Sequence, residues 1–111
     1  MLKPKPAPKG TAALYRAMDE MFRIDSNMPV GTVLILMLVA LKSGTPNEAP
    51  TLSDIASAVG MDLSRVSRNV KTLVESGLVG TRRDALDPRS KLTYLTDEGH
   101  RLVTRITDTL N

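Results

Sequence analysis

The sequence predicts a mainly α-helical domain that carries one small β-hairpin. Apolar residues recur at helical spacing in five separate stretches, and cap residues and glycines punctuate those stretches. One run departs from this pattern: "TRRDALDPRSKLTYLTDEG", Thr81 to Gly99, passes from charges through a proline to a short apolar-polar alternation, as a hairpin does. With 111 residues the chain is one domain with a single core. Aromatic residues make up only 3%, so that core must be aliphatic.

The elements follow in order. Residues 1–10 include "KPKPAPKG", in which proline alternates with lysine; proline lacks the backbone donor and holds extended conformations, so this reads as a basic tail without regular structure. The domain proper is 11–111. From Thr11 to Ile24 the apolar positions Leu14, Ala17, Met18, Met21 and Phe22 lie on one helical stripe. A second helix starts after "SNMP", with Asn27 or Met28 as its cap and Pro29 in its first turn, and runs to about Lys42. It contains "VLILMLVAL", nine apolar residues, about half the roughly 20 that a spanning helix requires, so it reads as a buried core helix. "SGTPNEAP", Ser43 to Pro50, is a loop.

Thr51 and Asp54 then have the spacing of a capping box that opens a third helix, which ends at Gly60. Asp62 caps a fourth, Leu63 to Ser76, before Gly77, with Val66, Val70, Leu73 and Val74 facing inward. Strands are expected at Leu78–Arg82 and Ser90–Leu95. Thr96 caps a last helix, within 97–111, with the stripe Leu102, Val103, Ile106 and Leu110.

Residues 51–76 carry the most information. Two short helices joined by a tight turn must cross closely. Ala56 is small where they cross, Gly60 tolerates a left-handed turn, and Val66 packs back into the crossing. Together they describe a helix-turn-helix. With its apolar residues inward, the second helix presents Ser64, Arg65, Arg68, Lys71, Thr72 and Glu75 outward, with Ser67 and Asn69 on the flanks. Taken alone, that is a solvated charged face. After a helix-turn-helix it is a recognition surface, where arginine can bond bidentately to guanine in the major groove. Arg65 and Arg68 are the candidate base readers. Ser64 and Ser67 can reach bases or phosphates, Lys71 suits phosphate, and Thr72 lies on the same DNA-binding face.

Charge distribution agrees. The net charge is only +3, but between Arg65 and Lys91 seven basic residues face three acids, Glu75, Asp84 and Asp87. Such a concentration implies a polyanionic partner.

The run "LSDIASAVGMDLSRVSRNVKTLVESGLV" and the hairpin after it resemble the MarR family of winged-helix transcription regulators. The resemblance rests on Ile55-Ala56, Gly60, Val66-Ser67-Arg68, Val70, Leu73, Gly77-Leu78-Val79, Asp84, Asp87, Arg89, Leu95-Thr96 and Gly99, and covers about Thr51 to Gly99. It implies a winged helix-turn-helix, with residues 78–95 as the wing. In that family a wing arginine enters the minor groove and aspartates brace the loop, roles that map onto Arg89 and onto Asp87 with Asp84. Physically, a narrow minor groove attracts arginine, and Pro88 stiffens the loop that would present it. Arg82 and Arg83 suit phosphates at the groove edge.

Family members usually carry two long C-terminal helices that build their dimer, whereas fifteen residues follow Thr96 here. A homodimer would therefore use the flanking helices 11–24 and 97–111, through Leu14, Met18, Met21, Phe22, Leu102, Ile106 and Leu110. The family's effector pocket would be reduced, leaving a small-molecule effector an open question.

The functional expectation is sequence-specific binding of double-stranded DNA by a homodimeric regulator, in the cytoplasm of a bacterial, archaeal or phage-infected cell. Two alternatives remain open at this level: a winged-helix adaptor docking an acidic protein, or a replication or architectural DNA-binding domain. An enzyme is not expected. There is no cysteine, one histidine (His100) and no carboxylate cluster with ligand spacing, so neither a metal site, a cofactor nor a catalytic constellation is indicated. No membrane segment is expected.

Overall fold

The capping signals form as hydrogen bonds. In the computed structural model, which describes Pro8, residues 10–42 and residues 49–108, the order is α1 (Thr11–Ile24), α2 (Val30–Lys42), α3 (Leu52–Val59), α4 (Leu63–Glu75), β1 (Val79–Arg83), β2 (Lys91–Leu95) and α5 (Asp97–Asp108). Most of the basic tail, most of the Ser43–Pro50 loop and Leu110 lie outside the described residues.

At the start of α3, the Asp54 amide donates to Thr51 Oγ1 and the Thr51 amide donates to Asp54 Oδ2, each at 3.0 Å. This reciprocal pair satisfies amides the first turn would otherwise leave bare. Asp62 Oδ1 accepts from the Arg65 amide at 2.8 Å and so starts α4. Gly77, at φ 78°, ends it: Leu78 N–H bonds the Leu73 carbonyl and Gly77 N–H the Val74 carbonyl, a Schellman closure open to glycine because φ is positive. Thr96 joins the hairpin to α5, its hydroxyl donating to the Gly77 carbonyl (2.6 Å) while accepting from the Gly99 amide (3.0 Å).

Boundaries moved slightly from expectation. Pro29 sits just before α2 rather than inside its first turn, its carbonyl accepting from the Thr32 and Val33 amides. Each strand begins one residue later than predicted. The hairpin is antiparallel, pairing Val79 with Leu95 and Arg83 with Lys91, and Thr51 adds a single bridge to Leu92.

The core is aliphatic, built on Ile35, Leu36, Val39, Ile55, Val66, Val70, Leu73, Leu78, Val79 and Leu102. Both tyrosines and the phenylalanine lie outside it.

Burial corrects four readings. Val74, expected inward, is exposed: it lies about 100° round the helix from Leu73 and clears the stripe that Val66, Val70 and Leu73 define. The second helix is not buried throughout, since Ile35, Leu36 and Val39 face the core while Leu34 and Leu41 face out. The α1 stripe divides into two ridges. Ala13, Ala17 and Met21 point inward, the small alanines letting α1 lie close, and Leu14, Met18 and Phe22, each one residue on, are exposed. Finally Met21, Leu102 and Ile106, expected at an interface between copies, are buried within the subunit itself, because the core takes the inner faces of α1 and α5.

Candidate nucleic-acid interface

Along α4 the inward residues are fixed by the core, which determines what faces out. Ser64, Arg65, Ser67, Arg68 and Lys71 are all exposed. Thr72 is half-buried and its hydroxyl donates to the Arg68 carbonyl at 3.2 Å, leaving it less available than the others. Among the described residues the ion pairs are Arg23–Asp19 (3.1 Å, within α1) and Arg105–Glu20 (3.7 Å, α5 to α1). No cation of α4 or the hairpin is neutralised by such a pair. A row of uncompensated guanidinium and ammonium groups on one helix face is a site for polyanion phosphates.

Asn69, read from the sequence as a flank residue, is committed inward. Its Oδ1 accepts from the hydroxyl of fully buried Thr32 on α2 at 2.9 Å, and its Nδ2 points at Met61 Sδ, 3.6 Å away. Its partner is 37 residues distant, and no local pattern announces it.

The hairpin loop between β1 and β2 is laced by its acids. Asp87 Oδ1 accepts from the Arg89 amide at 3.1 Å and Oδ2 from the Ser90 hydroxyl at 3.2 Å; Asp84 Oδ1 accepts from the Leu86 amide at 2.9 Å. Backbone bonds from Ser90 N–H to the Asp87 carbonyl and from Asp84 N–H to the Ser90 carbonyl close the turn. Arg83 joins this bracing: its Nη1 donates to the Pro88 carbonyl at 2.9 Å, which the sequence reading did not foresee. Arg82 and Arg89 remain exposed. The Arg89 side chain thus leaves a backbone held from both sides, so little ordering is needed to present it.

Thr93 is the fully buried residue of β2 and shares its inward face with Leu95, which packs against the core, while Tyr94 lies on the outward face; Lys91 is on the face of Thr93 but is exposed at the loop end of the strand. Elsewhere on the surface Leu14, Met18 and Phe22 of α1 and Val30, Val33 and Met37 of α2 line an apolar groove of about 410 Å³, with Ile106 and Thr107 of α5 also in its lining. Among the described residues no cluster of three or more His, Asp or Glu side chains could hold a metal ion. No helix among them is long and apolar enough to cross a membrane.

Residues 31–99 match the model of the winged helix DNA-binding domain family. Solved structures share the fold. One is MepR of S. aureus in a complex with DNA, at TM-score 0.76 and 23% identity over 89% of this chain and 77% of that one. Another is a MarR-family transcriptional regulator of Rhodococcus sp. RHA1, at TM-score 0.67 and 25% identity over 91% of this chain and 66% of that one. CouR of Rhodococcus jostii RHA1, bound to p-coumaroyl-CoA, is similar at TM-score 0.66 and 26% identity, again over 91% and 66%. The chain therefore spans about two thirds of the length of the two Rhodococcus proteins. No curated protein sequence matches it.

Proposed function

The chain belongs to the winged helix DNA-binding domain family and is MarR-like, and on that premise we propose that it is a transcription regulator that reads double-stranded DNA as a homodimer. In this reading α4 lies in the major groove, with Arg65 and Arg68 on base edges, Ser64 and Ser67 on bases or phosphates, and Lys71 and Thr72 toward the backbone. The wing lies along the adjacent minor groove, with Arg89 inserted, Arg82 toward phosphates and Arg83 holding the loop through the Pro88 carbonyl. The observation that carries the proposal is the uncompensated cationic face of α4 in the same chain as a hairpin whose acids brace the backbone of Arg89.

A second copy would cover the outer ridge of α1. Leu14, Met18 and Phe22 form an exposed apolar row, contiguous with the groove against α2, and such rows are typical of surfaces that another chain buries. Two-fold symmetry then gives two half-sites about one helical turn apart.

Selection from a randomised duplex pool, with the mass of the bound complex measured alongside, tests specificity, spacing and stoichiometry together. Arg68→Ala is expected to relax base preference at its half-site position by about 1–3 kcal/mol. Arg89→Ala is expected to lower affinity and flanking A·T preference, with the salt slope falling by about 0.9 if it neutralises a phosphate. Unchanged binding in both variants rejects the groove assignments, and a pool that yields no preferred sequence rejects specific readout.

A further inference from the structure

A recognition helix selects bases only if its rotation about its own axis is held, because functional side chains must stay within about 10–20° of the productive geometry. Apolar packing alone is poorly suited to this, since burial is non-directional. Among the described residues the core holds two buried polar side chains, Thr32 and Thr93, and the first bonds to α4. Thr32 on α2, 0% exposed, donates to Asn69 Oδ1 at 2.9 Å, and Asn69 Nδ2 turns to Met61 Sδ in the turn between α3 and α4. The Met61 methyl in turn lies over Gly31, so closely that a β-carbon at Gly31 would run into it. One directional chain therefore ties the first turn of α2 to the helix-turn-helix bend and to the middle of α4.

We propose that Thr32, Asn69 and Met61 form a clamp that sets the rotation of α4, making Thr32 and Asn69 positioning residues for base selection rather than DNA contacts. Both ends of the Asn69 amide are occupied within the subunit, and Thr32 is sealed from solvent. The inference rests on the DNA-reading role proposed above. It predicts that a residue unable to touch DNA controls specificity.

The test compares two substitutions at one buried site. Thr32→Val keeps the shape and removes the donor; Thr32→Ser keeps the donor and removes a methyl. Each is expected to lower Tm by roughly 5 °C. Only Thr32→Val is expected to lower the ratio of affinities for the selected duplex and an unrelated duplex, by about tenfold, while unrelated-duplex affinity and its salt slope stay at wild-type values. Asn69→Leu, which also loses the Met61 contact, is expected to lower the ratio at least as much as Thr32→Val, and the double variant to be no worse than Asn69→Leu, since both single changes delete the Thr32–Asn69 bond. A ratio that survives Thr32→Val, a ratio that follows Tm through the series, or additive losses in the double variant would each overturn the clamp.

Residual dipolar couplings on the free protein separate this inference from the reading beneath it. The angle between α2 and α4 is expected to change or loosen in Thr32→Val and to persist in Thr32→Ser. An unchanged angle in Thr32→Val refutes the clamp whatever the DNA results. A loosened angle in a protein whose wild type selects no sequence upholds the clamp as a positioning device and refutes only the specific reading.

Discussion

Asp87 offers a test in which two physical accounts differ in sign. The carboxylate lies beside the arginine proposed to enter a minor groove, so simple electrostatics says that removing it should tighten DNA binding. An exposed unit charge about 8 Å from a phosphate in water is worth about 0.5 kcal/mol, or roughly a twofold gain. The structure argues the opposite for Asp87→Ala. That substitution deletes two bonds, from the Arg89 amide (3.1 Å) and the Ser90 hydroxyl (3.2 Å). In an exposed loop each is worth near the lower end of a typical net hydrogen bond, so together about 1–1.5 kcal/mol of ordering is lost. Arg89 must then be ordered at the moment of binding, and Kd for a selected duplex should rise by roughly 5–10-fold. Asp87→Asn removes the charge but retains an acceptor for the Arg89 amide, and should bind as wild type or up to about twofold tighter. Fluorescence anisotropy titrations at two salt concentrations measure both. If Asp87→Ala tightens binding as much as Asp87→Asn does, the carboxylate acts through charge and the bracing argument fails.

Other substitutions probe the frame that presents these groups. A β-carbon at Gly99 would collide with the Leu78 carbonyl, a backbone atom that also accepts from the Thr96 amide, so Gly99→Ala should cost at least about 2 kcal/mol in denaturant unfolding. Thr93 is fully buried and its hydroxyl has no hydrogen-bond partner among the described residues; Thr93→Val should leave stability unchanged or raise it by about 1 kcal/mol, and a loss of that size would reveal a partner for the hydroxyl. Phe22→Glu places a charge on the exposed ridge of α1, and sedimentation should show a shift from dimer to monomer mass with helicity retained; a wild-type protein that sediments as a monomer refutes the interface.

Much of the architecture was legible because its signals are local. The Thr51–Asp54 box, the Asp62 cap, the Gly60 and Gly77 stops and the Thr96 cap each act across three to five residues, so spacing alone reveals them. The charged face of α4 was legible for the same reason, whereas the Asp87 brace of Arg89 was an expectation from the family resemblance that then forms as a local bond.

What periodicity could not decide was which of two adjacent apolar rows the core would take. On α1 the rows through Ala17 and through Met18 are both apolar, and only packing against α5 and the core turns the first inward and leaves the second exposed. The same ambiguity concealed the exposure of Val74 and of the outer side of α2, and assigned Leu102 and Ile106 to an interface when the subunit's own core claims them. Arg83 looked like a free phosphate ligand until loop closure brought the Pro88 carbonyl within reach. The Thr32–Asn69 bond joins residues 37 positions apart and has no sequence signature. Sequence by itself determined where helices begin and end to within about a residue, because capping energies are local. The tertiary structure decided which faces are buried and which polar groups meet, because burial is a property of the packed whole.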